Sequence, residues 1–515
     1  MNHLPILPVV LPLALGALLL TLERLGLRVQ RALGLTGALA LVVVAAALAM
    51  QADGGAVQVY LAGNWPAHLG IALLADRTAA LMVLLTAVLG LIALAHAASG
   101  WDRRAPHFHA LFQFQLAGLC GAFLTADLFN LFVFFEVLLI ASYGLLLSGG
   151  RGPRMRAGMH YLAFNITASL LFLVALGLIY GQLGTLNVGA LAQRIALAEP
   201  AQAPLLRAAG GILLVVFCAK AALLPLYFWL PQAYSRAPGA VAALFAILTK
   251  VGIYSALRVY TAMFGGEAGE LAGLAWPWLL PAGALTLALG TLGALAAPNL
   301  RLLSANLVVA SAGTLFVAIG LATPETTAAG LYYLVHSTLA TAALFLLADL
   351  IRGQRRPGGD SLRRIGRTGP RGLLGGLYLV AAVSLAGLPP LSGFVAKFSL
   401  LAAIPAAQAA WLWPLILICG LLTIVALARA GSRLFWHQAK VVAPAVTPPV
   451  ALGATRLLPA MLLLALAVAL SAFAAPALRY TAAAAGQLAA PRDYIDALRG
   501  ATPRPSAHAA PEVSP

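Results

Sequence analysis

Long apolar segments separated by short polar loops dominate the chain. A membrane-spanning helix needs about 20 mostly apolar residues, and we count fourteen segments of about that length. They lie at 4–22, 33–51, 74–97, 107–126, 128–148, 159–181, 208–230, 238–260, 274–296, 301–321, 327–350, 373–404, 410–430 and 456–475. The pattern predicts an all-α polytopic membrane protein.

Composition supports a membrane protein and argues against a nucleic-acid partner. The 515 residues are 62% hydrophobic and 9% charged, with a mean hydropathy of +0.94, which is more apolar surface than a soluble protein can bury. The net charge of +17 would suggest nucleic acid in a soluble chain. Here the basic residues lie in short loops between spans, so we expect a lipid bilayer and no nucleic-acid partner.

The loop charges alternate along the chain and predict the orientation. Odd-numbered loops hold most of the arginines, including seven between Arg352 and Arg371, whereas even-numbered loops hold few. Positive loops remain in the cytoplasm, so both termini are expected on the outer side of a bacterial-type inner membrane. The Arg352–Arg371 loop could also bind anionic lipid or a partner, but simple anchoring is the favoured interpretation.

Cysteine usage and motif searches limit the chemistry. Cys120, Cys218 and Cys419 are isolated in apolar segments, and no CxxC or Cys/His cluster occurs, so we expect no iron–sulfur cluster, no structural zinc and no cofactor. A lipid-modifying membrane enzyme is disfavoured, since no DxxD, HExxH or GxSxG motif occurs in a suitable setting.

Four charged residues fall inside the predicted spans. Glu136 lies in the segment FVFFEVLLIASYG, and Lys220, Lys250 and Lys397 lie in spans 7, 8 and 12. The chain has 28 arginines but only four lysines, and three of the four lysines are in spans. A desolvated lysine can release its proton whereas arginine stays charged, so the lysines are candidates for proton transfer. His336 in span 11 is a fifth titratable group.

The energy balance favours a relay over a set of structural ion pairs. Each mid-membrane charge costs about 3 kcal/mol, and an opposite charge at about 4 Å returns roughly 4 kcal/mol. Glu136 can offset one lysine but not three, so at least two lysines must be neutral, hydrated or charged only part of the time. The alternatives are that Glu136 and Lys220 form a structural pair and that His336 simply bonds a neighbouring carbonyl.

Two spans carry helix-breaking residues next to a lysine. Pro225 follows Lys220 in span 7, and Pro389 and Pro390 precede Lys397 in span 12. Proline removes a backbone donor, so both spans should be interrupted. Paired interruptions at equivalent positions are typical of transporter repeats. We therefore divide the chain into three N-terminal helices, two five-helix units, a last helix and a disordered, Ala- and Pro-rich tail outside the membrane; the bounds are 1–106, 107–265, 266–440, 441–475 and 476–515.

At these residues the sequence resembles the antiporter-like family shared by respiratory complex I, membrane-bound hydrogenases and Mrp-type cation/proton antiporters. The segments FFEVLLIASY, AKAALLPLYFWLPQAY, LFAILTKVGIYSALRVY and AGLPPLSGFVAKF are most similar to the D-type subunit of the Mrp (Pha) antiporters. The resemblance implies fourteen helices with two inverted five-helix repeats, and a proton pathway through the titratable residues. These are Glu136, Lys220, Lys250, His336 and Lys397.

One position departs from the family pattern. Many relatives have a lysine shortly after the span-11 histidine, where this chain has Thr341, so His336 or water is expected to connect Lys250 with Lys397. The expected function is that of a proton-conducting, non-enzymatic subunit of a multisubunit Na⁺ or K⁺/H⁺ antiporter, with other membrane subunits as partners. The alternative is the homologous pumping subunit of complex I or a hydrogenase.

Overall fold

The fold comes from a computed structural model, which describes residues 3–67, 70–150, 152–355, 358–363, 371–436 and 452–503. Its first half contains three N-terminal helices, followed by helices that include two pairs, each pair separated by a short break in the helix. These helices are α1 Leu7–Thr21, α2 Leu27–Asp53, α3 Arg77–Ala98, α4 Phe108–Leu124, α5 Leu128–Leu147, α6 Pro153–Leu183, α7 Val188–Ala196, α8 Ala203–Lys220, α9 Trp229–Arg236, α10 Gly239–Phe245 and α11 Leu248–Ala262.

The second half follows with helices of similar length. They are α12 Trp276–Ala296, α13 Leu300–Gly320, α14 Pro324–Gln354, α15 Arg371–Ala386, α16 Ser392–Ala403, α17 Ala406–Gly431, α18 Ala454–Ala472, α19 Ala474–Ala489 and α20 Arg492–Gly500. By length and composition, 11 helical segments in the described residues can cross a membrane. The predicted polytopic, helical architecture is therefore confirmed.

A small antiparallel ribbon departs from the all-α structure of the described ranges. Strand β1, Gln58–Leu61, pairs with β2, Ala72–Ala75, in the loop between α2 and α3. The sequence VQVYLAGNW supplies β-branched and aromatic residues followed by a turn, which favours a hairpin over a helix. The last strand leads directly into Asp76, whose side chain accepts a hydrogen bond from Ala79 N and caps α3.

The prediction of a disordered tail over 476–515 is wrong for residues 476–500. Helices α19 and α20 occupy this stretch, and α20 packs on α7 and β1. Tyr480 Oη donates to the Arg77 carbonyl at 2.9 Å, and Gln487 Nε2 donates to the Gly55 carbonyl at 3.3 Å. An alanine-rich sequence has low complexity, which suggested disorder, but alanine also has the highest helix propensity of the amino acids. Residues 504–515 lie outside the described part of the chain.

The tail covers a buried ion pair between α3 and α11. Arg258 Nη2 lies 2.6 Å from Asp76 Oδ2, and the two side chains are 8% and 0% exposed. The guanidinium also lies 4.7 Å from the centre of the Tyr494 ring on α20. This cation–π contact joins α20 to the ion pair. Both lie on the ribbon side, which is the side of the bundle that carries β1 and β2.

A second buried carboxylate organises the opposite side of the bundle. Asp102, between α3 and α4, accepts hydrogen bonds from Arg31 Nε at 2.6 Å and Arg31 Nη2 at 2.7 Å, and its Oδ2 lies 3.2 Å from His109 Nε2. Burial alone would raise the pKa of Asp102, but the bonds to Arg31 and His109 outweigh it and hold the pKa at about 2. This charged centre fixes α2 against α4.

Two parts of the chain repeat one hydrogen-bonding pattern. Asp127 caps α5 and Asn299 caps α13, each accepting from a backbone amide three residues on. Leu128 N then donates to the Leu186 carbonyl and Leu300 N to the Asp360 carbonyl, both at 2.9 Å. The helices that follow, α6 and α14, each have 31 residues and a proline in the first turn. The regions that begin with α5 and α13 thus share one local pattern of capping and loop contacts.

We predict that Asp76→Asn destabilises the protein by about 3–5 kcal/mol, because the Arg258 guanidinium would remain buried without a counter-charge. The measurement is the thermal unfolding midpoint of the purified protein in detergent. The control is Glu267→Gln, which breaks an exposed ion pair with Arg492 and should leave the midpoint unchanged. Equal midpoints for the two variants would contradict the prediction.

Candidate functional site

Span 7 is interrupted beside its lysine. Helix α8 ends at Lys220 and α9 begins at Trp229, with Pro225 in the turn between them. Backbone groups that lose their helical partners are satisfied by side chains: Leu224 N donates to Thr286 Oγ1 at 2.9 Å, and Trp229 Nε1 donates to the Ala219 carbonyl at 3.1 Å. These contacts hold the amine-bearing end of α8 in place without a continuous helix.

A serine connects Glu136 to Lys220. Ser169 Oγ on α6 donates to Glu136 Oε1, and Lys220 Nζ donates to the same Ser169 Oγ at 3.3 Å. Within the described ranges no direct ion pair joins the carboxylate and the amine; instead, the amine lies 4.8 Å from the centre of the Phe135 ring. A structural pair of Glu136 and Lys220 is the alternative interpretation of the sequence. The sequence does not point to Ser169, because one serine in an apolar helix gives no distinctive pattern.

Lys250 also lies at an interruption, one that the sequence did not predict. Helix α10 ends at Phe245, a turn follows, and Lys250 is the third residue of α11. Its side chain is fully buried, and Nζ donates to Ser311 Oγ on α13 at 3.1 Å. Proline and glycine are absent from this turn, so its sequence has none of the usual signals of a break.

The second predicted interruption lies between α15 and α16. Lys397 Nζ reaches back across it and donates to the carbonyl of Ala386, the last residue of α15, at 2.7 Å. Gly387 has φ +80°, and an added Cβ there would lie 2.6 Å from Lys397 Cδ. His336 Nδ1 lies 2.9 Å from Ser392 Oγ, the first residue of α16. The break therefore holds both titratable groups.

One cavity lies next to three of the candidate residues. His336 and Lys397 line it directly, and Lys250 reaches it through its partner Ser311. The cavity volume is about 40 Å³, counted as space open to the centre of a water molecule, which is room for about two or three waters. Ser311, the partner of Lys250, lines it together with His336 and Lys397. The other polar lining groups are Thr291, Thr314, Tyr333, Ser337, Thr341, Cys419 and Thr423.

The helix ends that carry Lys220 and Lys250 meet at a close contact. Gly252 on α11 packs against the end of α8, where an added Cβ would lie 2.8 Å from Ala221 N and from the Phe217 carbonyl. This approach brings the two lysine-bearing helix ends together. The five predicted residues thus fall into two groups: Glu136 and Lys220 share a serine, and His336 and Lys397 line one cavity that Lys250 reaches through Ser311.

Comparison with known proteins identifies the family. The model for the NADH:quinone oxidoreductase/Mrp antiporter transmembrane family matches residues 125–423. The chain belongs to this family. It is 41% identical to the probable K⁺/H⁺ antiporter D subunit of Rhizobium meliloti (strain 1021), over 97% of the chain and 98% of that protein. It is 36% identical to the Na⁺/H⁺ antiporter D subunit of Alkalihalophilus pseudofirmus, over 97% and 99%.

Solved structures agree with this assignment to the Mrp antiporter and quinone oxidoreductase family. A chain of the Mrp complex from Dietzia sp. DQ12-45-1b superposes with a TM-score of 0.86 at 28% identity, covering 97% of this chain and all of that one. A chain of respiratory complex I from Thermus thermophilus superposes with a TM-score of 0.76, also at 28% identity, covering 94% and 99%. The resemblance found in the sequence is confirmed.

We predict that Gly393→Ala destabilises the protein by about 1–3 kcal/mol, the usual cost of overpacking, because the new methyl group would collide with the Ser384 carbonyl and press on His336. The control is Gly376→Ala on α15, where an added Cβ meets no neighbouring atom within 4 Å. Thermal midpoints in detergent measure both. A Gly393→Ala midpoint equal to or above that of Gly376→Ala would refute the close packing at the break.

Proposed function

We propose that this chain is the proton-conducting membrane subunit of a multisubunit monovalent cation/proton antiporter. The observation that carries the proposal is the set of five titratable side chains within the helix bundle, each hydrogen-bonded to a hydroxyl or to the carbonyl freed by a helix break. Identity of 41% and 36% to antiporter D subunits over almost the whole chain supports this function.

Ser169 couples the first two groups. A hydroxyl accepts one hydrogen bond while donating another, so Ser169 holds the Glu136 carboxylate and the Lys220 amine in one chain of hydrogen bonds. A movement of α5 relative to α8 changes this chain and therefore the stability of the charged amine. A lysine that loses its charged partner in an apolar setting releases its proton more readily, which drives the proton towards Lys250.

The cavity supplies the second half of the path. Lys250 gives a proton to Ser311 Oγ as the hydroxyl turns its own proton from the Val308 carbonyl to water in the cavity, and His336 and Lys397 take up a proton from that water. Thr341 lines this space, so water and hydroxyl groups take the place of the lysine that many relatives have nearby. Small hydroxyl-lined cavities conduct protons along hydrogen bonds, while the adjacent amines disfavour a metal cation.

The membrane topology follows from the same proposal. The 11 segments, together with α1, α4 and the interrupted α15–α16 pair, give fourteen spans. The matching hydrogen bonds at Leu128 and Leu300 then lie on opposite sides of the bilayer, because the loop after α6 is on the outer side and the loop after α14 is cytoplasmic. The two five-helix units are therefore inverted, both termini face outwards, and the other antiporter subunits lie beside the bundle in the inner membrane.

We predict that Lys250→Arg abolishes antiport although it preserves the charge, because arginine does not release its proton. The measurement is dye-monitored proton movement in everted vesicles that contain the whole complex, with Na⁺, K⁺ and Li⁺ in turn. Glu136→Gln and Lys220→Ala should have the same effect. The control Arg207→Lys, at an exposed site, should transport normally, and wild-type turnover of Lys250→Arg in an assembled complex would overturn the relay.

We predict that Ser169→Ala lowers the antiport rate about tenfold, since losing a hydrogen bond to a charged group costs roughly 1.5–3 kcal/mol. Thr167→Ala is the matched control: it lies two residues away on α6 and its hydroxyl donates to the Ala163 carbonyl of its own helix. The same vesicle assay compares them at equal amounts of complex. Equal rates would show that Glu136 and Lys220 do not communicate through Ser169.

A further inference from the structure

A histidine–carboxylate pair joins α3 to α14 on the side of the bundle opposite the ribbon. His96 Nε2 in the last turn of α3 lies 3.3 Å from Asp349 Oδ2 on α14. The imidazole is only 5% exposed, whereas the Asp349 side chain is 43% exposed. The pair therefore has one member open to the surroundings and one inside the protein, on the side predicted to be cytoplasmic.

The inner nitrogen of this histidine is unused by the fold. His96 Nδ1 is buried and has no hydrogen-bond partner among the described residues. A buried polar atom without a partner costs about 1–3 kcal/mol, and buried histidines with a structural role normally bond through both nitrogens. Nδ1 is therefore placed to pass a proton onwards to water or a hydroxyl in the interior.

The pair lies at one end of the helix that leads to Lys250. Helix α10 packs against both α3 and α14, and its first residue, Gly239, approaches Asp349 so closely that an added Cβ would lie 2.6 Å from Asp349 Cβ. The other end of α10 continues through the turn at 246–247 to Lys250. Gly239 and Lys250 are eleven residues apart in the chain, about 16 Å at the rise of a helix, and every residue between them is buried.

Arginines surround the open carboxylate. Arg352 on α14, Arg301 on α13 and Arg154 on α6 all act electrostatically on Asp349, in addition to His96 on α3. These fixed positive charges repel Na⁺ and K⁺. A proton is not excluded in the same way, because it can pass between hydrogen-bonded groups.

We propose that His96 and Asp349 form the proton port through which Lys250 exchanges protons with the cytoplasmic side; this rests on the proposed function. The Asp349 carboxylate accepts a proton from bulk water and transfers it to His96 Nε2. The resulting imidazolium releases its other proton from Nδ1 to an interior hydroxyl or water, which passes it to the Lys250 amine. A flip of the neutral ring restores the starting tautomer, and the same steps run in reverse for release.

The other end of α3 carries an ion pair that is closed to proton exchange. Asp76 pairs with Arg258, which does not release a proton, and Tyr494 covers the guanidinium. The two ends of one helix therefore carry an ion pair with a permanent charge and a pair that titrates. Only the second can exchange protons with water.

The test measures antiport in everted vesicles that contain the whole complex, for Asp349→Asn, Asp349→Glu and wild type, in H₂O and D₂O across a range of pH. We expect Asp349→Asn to fall about tenfold or more, with a larger solvent isotope effect and a shifted pH profile, and Asp349→Glu to recover most of the rate. A merely structural role would change neither the isotope effect nor the pH profile.

The matched control is a second histidine–carboxylate pair on the same side. Glu23 Oε2 lies 3.0 Å from His107 Nδ1 and is 45% exposed, but its histidine is 50% exposed and lies on the surface. Glu23→Gln should transport like wild type. Wild-type rates and isotope effects for Asp349→Asn, with Glu136→Gln inactive, overturn the port alone. Full activity of Glu136→Gln as well overturns the relay itself.

Discussion

A polar group inside the hydrocarbon of a bilayer must find its hydrogen-bond partner within the protein, and this constraint explains where the buried amines lie. All three lysines are beside a helix interruption, where the regular backbone pattern is broken. Lys220 and Lys250 donate to serine hydroxyls, whose own protons go to Glu136 and to the Val308 carbonyl. Lys397 bonds a carbonyl, which only accepts, so this partner is satisfied whenever the amine keeps one N–H.

Close helix contacts make these interruptions possible. A broken helix exposes backbone groups that lipid cannot satisfy, so neighbouring elements must approach closely enough to cover them. Gly252 lets α11 touch the end of α8, and Gly393 lets α16 touch α15. Thr286 on α12 bonds the turn after Lys220. The titratable groups at the interruptions and the tight packing around them are therefore one structural feature.

Much of the fold could be predicted from the sequence because membranes impose strong patterns. Length and apolar composition indicated the spans, and proline positions indicated the two interruptions. The break before Lys250 was not predicted because no proline or glycine marks it. The bridging residues Ser169 and Ser311 were also missed, since their role depends on which helices meet in space. Helices α19 and α20 were missed because alanine-rich sequence was taken as a sign of disorder, although alanine favours helix.

The position of α20 has a consequence for how the protein is made. Asp76 and Arg258 are far apart in the chain, and the ring that covers their contact belongs to Tyr494, which is synthesised long after both. A nascent chain therefore inserts all its membrane helices before the ribbon side can close. Premature termination upstream of α20 leaves a charged contact uncovered in an otherwise complete bundle, a defect that quality-control proteases in the membrane are suited to recognise.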